Sequence, residues 1–417
     1  MKSDVLVLGA GIVGVSAALH LLERGRSVTL IDRQGPGEGT SYGNAGLIER
    51  ASVIPYAFPR DWRALAKYAL NRSSDVRYSP LHILRIAPWL FRYWLNSAPT
   101  RLEQAAQDIL PLIEASVAEH DRLVARAGAG NLVSANGFIT AFRSEEHFSQ
   151  AQAELEELSR FNLDTRILSR AELFALEPAL AHGTASIAGG LHWLDPKTVY
   201  DPEGLVKAYH ALFLKEGGRF VQGDAATLRQ EGETWVLDAS DGDRLSASQA
   251  VVALGPQSGL VFRKFGYRLP LEVKRGHHRH YRQPDGAPLG HSILDEQAGF
   301  VLAPMRQGIR LTTGVEFASP DAPANSIQLA RAEAVARQLL PLGAPLEQTP
   351  WLGLRPALPD MKPVIGEAPR HKGLWFDFGH AHHGLTLGPA SGRLLAEMMT
   401  GAVPFADPKP FRPERFN

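Results

Sequence analysis

The sequence predicts an α/β protein of two interleaved domains, one on a largely parallel sheet and one on a mixed sheet. Three observations carry the prediction. A strand, a glycine turn, a helix and a second strand ending in an acid open the chain at residues 4–32. The α/β pattern returns at residues 351–400, after a middle rich in strands. No low-complexity linker separates these parts, so the domains interleave rather than follow one another. A chain of 417 residues is also too long for one ordinary core.

The elements follow in order. Residues 4–8 (DVLVL) read as a buried strand, and 12–24 as a helix with Ile12, Val15, Leu19 and Leu22 near helical spacing. This apolar run is broken by Gly9, Gly11 and Gly14 and lacks a basic leader or cleavage site, so neither a membrane span nor a signal peptide is expected. SVTLI at 27–31 is the second strand, and 35–46 a Gly/Ser-rich loop. Residues 60–127 read mostly as helices, with a clear apolar stripe over 101–127. GFITAF at 137–142 is a strand and 145–160 a charged helix. The helix at 204–216 stops at Gly217-Gly218. Strands RFVQG, TWVLDAS and QAVVALG follow, then 269–282 and 298–317 in a second sheet, a helix at 325–340, strands at 351–355 and 374–378, and a helix at 389–400.

Composition removes whole classes of function. Lys+Arg 44 equals Asp+Glu 44, so no net basic charge invites nucleic acid. With no cysteine there are no disulfides, thiolate metal sites, catalytic thiols or thioether-linked cofactors. A cysteine-free chain fits the cytoplasm.

Gly9-Ala10-Gly11-Ile12-Val13-Gly14 follows a strand and opens a helix, the context in which such a run is a dinucleotide cradle. Gly9 permits the tight turn, Gly11 the close approach of a pyrophosphate, and Gly14 close packing of helix on strand. Ile12 and Val13 lie in the first helical turn, whose N–H groups favour phosphate. Asp32, with Arg33 beside it, is placed for a ribose 2′-hydroxyl and against a 2′-phosphate, which disfavours NADP. FAD and NAD both fit this motif.

Two later segments distinguish them, AVVALGPQS at 250–258 and GLRPALPDMKPVIGEAP…GLWFDFGHAHHGLTLGPASGRLLAEMMTG at 353–401, and the loop GTSYGNAGLI at 39–48 supports the same reading. With these the chain resembles the D-amino-acid oxidase/glycine oxidase family of FAD enzymes, and within it the bacterial D-amino-acid dehydrogenases. The resemblance is weak over 60–130. It implies a Rossmann-like FAD-binding domain from 1–55, 193–262 and 350–417, and an α+β substrate domain on a mixed sheet from 56–192 and 263–349. It implies cofactor contacts from Thr40, Ser41, Asn44, Ala45, Gly46 and Leu47, from Ala226, Ala253 and Gly255, and from Gly353, Arg355, Gly379, His380, His383, Gly384, Leu385 and Thr386. Gly388 and Pro389 mark the start of the last helix, so the loop before it offers N–H groups to a reduced flavin; an ordinary helix cap is the alternative. Residues 32–58 hold no histidine, so FAD is expected without a covalent link.

In extended WLGLRP, Trp351, Gly353 and Arg355 share a face, and Gly353 leaves room beside the guanidinium. An arginine fork matches a carboxylate, although an arginine at a strand end is also commonly a surface ion pair. The resemblance implies that Arg355 holds a substrate carboxylate, and that His382 stands where glycine oxidase has an arginine. Arg355 and His382 are the candidate catalytic residues, with His383, His278 and Tyr56 as further substrate contacts. His278 and His280 share a strand face at a metal-ligand spacing, but no third ligand is near in sequence, and no metal is expected.

The implied reaction is oxidation of a D-amino acid or cyclic imino acid, giving a 2-oxo acid and ammonia, or a cyclic imine. Electrons would pass to a quinone or other carrier; an oxygen-using oxidase, a 2-hydroxy-acid dehydrogenase and a non-catalytic FAD scaffold are the rivals. Residues 80–95 read either as a buried helix or as a surface for quinone or the inner face of a membrane.

Overall fold

The computed structural model describes residues 2–283 and 288–416. Strands Arg219–Gln222, Val28–Asp32, Lys2–Leu8 and Arg244–Val252 lie side by side and parallel. The far edge of Arg244–Val252 is shared. Its first half pairs antiparallel with Thr234–Asp238, and its end pairs parallel with Leu374–Phe378. In register, Leu8 faces Ile31 and Val252, and Gln222 faces Asp32. The strands thus finish together, and their carboxyl ends form the edge where doubly wound folds bind ligands. Leu6 and Val7 are buried on opposite faces, as strands covered on both sides require.

Helix Ile12–Glu23 packs on this sheet beside Gly384–Thr400. The long helix Pro99–Ala127, which the sequence reading places with the substrate domain, joins them: Ile109, Leu112, Ile113 and Leu123 share one core with Val5, Val15 and Leu394. The sequence stripe over 101–127 was real, and its partner is the nucleotide-side layer.

The second sheet has ten strands and is mixed. The strands expected over 298–317 are Phe300–Met305, Gly308–Thr312 and Val315–Phe317, because the chain turns at Arg306-Gln307 and leaves the ladder at Thr313-Gly314. A further correction concerns Trp351–Ala357. The sequence reading counts it with the FAD segment, but it pairs antiparallel with Glu272–Tyr281 in the ten-stranded sheet. Gly276 faces Gly353 and Lys274 faces Arg355 in that register.

Candidate active site

A cavity of about 830 Å³ opens at the carboxyl ends of the parallel strands and reaches the second sheet, so that Asp32 and Arg355 share its wall. At its nucleotide end the backbone dictates the shape. Gly9 has φ +110°, and a Cβ there would lie 2.3 Å from the Ala253 carbonyl oxygen. A Cβ on Gly14 would lie 1.8 Å from the Gly9 oxygen. Gly14 therefore packs behind the wall, while Gly9, Gly11, Ile12 and Val13 form it. Asp32 accepts the Ala10 N–H at 2.8 Å, which ties the acid to the turn, and Arg33 bonds to Gln257 across the cavity mouth. Ser41 Oγ accepts the Ile12 N–H at 3.0 Å, so the 39–48 loop is pinned to the helix start.

Thr40, Ser41, Asn44, Ala45, Ala253 and Gly255 are on the wall as expected. Besides Gly14, His383 and Thr386, four expected contacts stand off it. Gly46, at φ +74°, turns the chain into Leu47–Ile48. Leu47 is buried in that short strand. Gly379 turns beside Leu358. Ala226 lies in a turn capped by Asp224, which leaves Gly223, Asp224 and Ala225 facing the cavity instead.

The last helix begins at Gly384, not at Pro389, and carries Pro389 in its second turn. The proline cannot donate to the Leu385 carbonyl one turn back. His120 makes good the loss: its Nε2 lies 2.7 Å from that oxygen, and its Nδ1 2.9 Å from the Tyr209 hydroxyl. Burial holds the His120 ring down to about 4, so the neutral imidazole donates to Leu385 and accepts from Tyr209. The earlier start places the unpaired N–H groups of the first turn at Gly384 and Leu385, on the wall beside His380. Thr386 stands behind, accepting the Glu49 N–H at 3.0 Å.

At the other end, Arg355 donates from Nη1 to the Gly314 oxygen at 2.8 Å and from Nη2 to the Thr313 oxygen at 3.1 Å. This fixes the fork and leaves its remaining N–H groups for the cavity. The room beside it comes from Gly276, where a Cβ would lie 2.5 Å from Nη1; Gly353 makes room for the Trp351 ring instead. Trp351 is held from behind by His278, stacked with centroids 4.8 Å apart. His278 is thus a buried support for Trp351 and is off the wall. His382 lines the cavity, its ring 4.8 Å from that of Tyr56. His383 lies behind, with Nε2 2.9 Å from Ser52 Oγ.

Sequence reasoning missed Lys274, Asp377 and Glu49 on the cavity wall. Lys274 lies opposite Arg355, and burial followed by the Arg355 charge pulls it down to about 7. Asp377 is buried at the end of its strand, and its carboxyl is raised well above the usual range by burial. Glu49 directly follows Leu47–Ile48, and burial raises it to about 7 against the lowering pull of Ser52 and Arg355. Only Glu49 carried a signal, as the first charge after the apolar run GLI.

A cradle whose glycines leave no room for a Cβ, a helix start and a fixed cation, all on one cavity, fit a bound flavin dinucleotide. Known proteins agree. The family model described as FAD dependent oxidoreductase (DAO) matches residues 4–398. The chain is 31% identical to a D-amino-acid oxidase of Bradyrhizobium diazoefficiens, over 99% of this chain and 98% of that one. It is 30% identical to a D-amino acid dehydrogenase of Chromohalobacter salexigens, over 97% of each. The crystal structure of glycine oxidase from Geobacillus kaustophilus shares the fold, with a TM-score of 0.74 at 21% identity over 99% of this chain and 98% of that one. Cradle, fold and relatives agree: the chain belongs to the DAO family of FAD-dependent oxidoreductases.

Proposed function

We propose that the chain oxidises the Cα–N bond of a D-amino acid or cyclic imino acid. The observation that carries this reading is Arg355, a guanidinium oriented by two carbonyls inside the cavity that also bears the nucleotide cradle. Both relatives above are named for D-amino acids, which supports the substrate class. Gly9, Gly11, Ile12 and Val13 would hold the pyrophosphate, Asp32 a ribose hydroxyl, and Gly384 and Leu385 the negative edge of the reduced ring. Bound without a covalent link, FAD supplies the acceptor for the Cα hydride. Arg355 fixes the carboxylate and so the direction of the Cα–H bond, while Trp351, Tyr56 and His382 shape the space around the substrate.

For the electron acceptor we favour a quinone or other carrier over oxygen. Helices Trp62–Ala69, Pro80–Arg85 and Ala87–Asn96 border the cavity mouth, and Leu65, Ile83 and Leu90 line it. Their outer surface exposes Trp62 (71%), Leu81 (81%) and Leu84 (74%). Residues 51–101 hold eight Lys and Arg against two Asp, within a chain of zero net charge. An exposed apolar surface on a cation-rich segment suits an anionic membrane holding a lipid-soluble acceptor. Among the described residues no helix is long and apolar enough to cross a membrane. Segment 80–95 is also divided: Trp89 and Tyr93 are buried, whereas Leu81, Leu84 and Phe91 face outward.

The test is anaerobic mixing of the purified yellow protein with D-amino, L-amino and 2-hydroxy acids. Bleaching by D-amino acids with release of ammonia is expected. Bleaching by hydroxy acids alone would replace the reading, and no bleaching by any would favour a scaffold. Reoxidation faster with a quinone analogue than with oxygen is the expected second result.

A further inference from the structure

Arg355 shares its cavity with a carboxylate, Glu49, close enough to act on its charge. Glu49 follows the short strand Leu47–Ile48, and its N–H is fixed to Thr386 at the start of the last helix. Its carboxylate lies 3.7 Å from His383 Nε2, and side-chain oxygen and nitrogen atoms of Glu49, His382 and His383 fall within 4.8 Å of one another. About a fifth of the side chain (21%) is accessible, and the residue lines the cavity. The charged and titratable groups around it are Arg355, Tyr56, His382 and His383, with Lys274 on the facing strand and Glu296 toward the mouth. Burial lowers both histidines, His383 to about 4, so neither carries the positive charge that would neutralise Glu49. Burial also outweighs the Arg355 charge, which lowers Glu49 only in part, and the fork is held toward the Gly314 and Thr313 carbonyls. Arg355 and Glu49 thus share one cavity, and an amino-acid zwitterion complements both.

We propose that Glu49 receives the substrate ammonium and takes its proton, making the amine neutral before the Cα–H bond breaks. This rests on the reading of Arg355 as the carboxylate anchor. The ammonium N–H bond breaks and an O–H bond forms at Glu49. The freed nitrogen lone pair becomes the second bond of C=N as the hydride and its electron pair leave Cα for the oxidised FAD. An acid poised at about 7 is matched to such a transfer at neutral pH. His383 and Ser52, 2.9 Å apart behind it, hold the site in place.

The first probe is 2-aminoisobutyrate, which has both charges but no Cα hydrogen. Its binding to the holoprotein is followed by the flavin absorbance. Wild-type affinity should rise roughly tenfold between pH 6 and 8, as Glu49 ionises. Glu49→Gln should bind it at least tenfold more weakly at pH 8, with no rise. Isobutyrate, which lacks the amine, should bind the variant no more weakly than wild type. In turnover, wild-type kcat/KM should level off above pH 7, whereas that of Glu49→Gln should climb about tenfold per unit up to the ionisation of the substrate's own amine. Glu49→Asp should keep the wild-type profile at a lower rate. Wild-type affinity and profile in Glu49→Gln, with FAD retained, would overturn the proposal and leave the anchor intact. Unchanged binding of both probes in Arg355→Met would overturn the anchor and the proposal with it.

Discussion

The two ends of the cavity are built in opposite ways. At the nucleotide end, consecutive residues do the work. Gly9 to Gly14 form turn and helix start together, and the backbone of Gly9 to Val13 lines the cavity. At the substrate end, side chains converge from distant segments: Glu49 from a loop, Lys274 and Arg355 from paired strands, and His382 from the turn before the last helix. A backbone site tolerates almost no added atom, because neighbouring backbone cannot move. A side-chain site tolerates small shifts but loses its chemistry when one group is removed.

Gly14→Ala should therefore have the largest effect. Its Cβ would lie 1.8 Å from a backbone oxygen. Loss of bound FAD and a destabilisation above about 4 kcal/mol are expected, read by absorbance and thermal melting. Arg355→Met comes next. FAD should stay bound, while kcat/KM for amino acids falls about 10²- to 10³-fold, corresponding to roughly 3–4 kcal/mol from a lost bidentate pair. A change within about threefold would remove Arg355 from the substrate and erase the contrast between the ends.

The join between the ends is His120. Its neutral form is stabilised in the fold at about 4, against an unfolded value of 6.5. The unfolded chain binds the proton first as pH falls. Stability is therefore complete above about pH 6.5 and is lost down to about pH 4, by roughly 3 kcal/mol. His120→Phe should flatten that part of the stability–pH curve and lower the melting temperature at pH 7, because the Leu385 carbonyl loses its partner. Gly276→Ala tests the substrate end more gently. Its Cβ would displace a guanidinium tip, not backbone, so kcat/KM should fall about tenfold with FAD content unchanged. The smallest effect is expected from Leu81→Ser with Leu84→Ser. Turnover with a soluble acceptor should stay within about twofold, while binding to anionic vesicles weakens measurably.

The same contrast separates what could be read in the chain from what could not. The cradle was legible because its residues are adjacent and each glycine has a local reason. The place of Arg355 on the cavity was legible through its GLRP context. Gly276 was not, since its role depends on lying opposite Gly353, 77 positions away, in a register that only sheet pairing sets. The start of the last helix was misplaced because Pro389 was read as a first-turn proline. Its cost inside the helix is offset by His120, from an element 265 residues earlier. His278 shared the right strand with the cavity, but Trp351 lies over it.

By itself the sequence determined the strand–turn–helix cradle, the acid at Asp32 and the absence of any cysteine chemistry. These rest on covalent neighbours, on backbone sterics and on composition, none of which needs a partner element. The tertiary structure alone decided that Trp351–Ala357 joins the ten-stranded sheet, that Lys274 faces Arg355, and that Glu49 reaches the same cavity. Such pairings depend on register and on which faces are buried together, and a buried charge acquires its character only from the groups that exclude water around it.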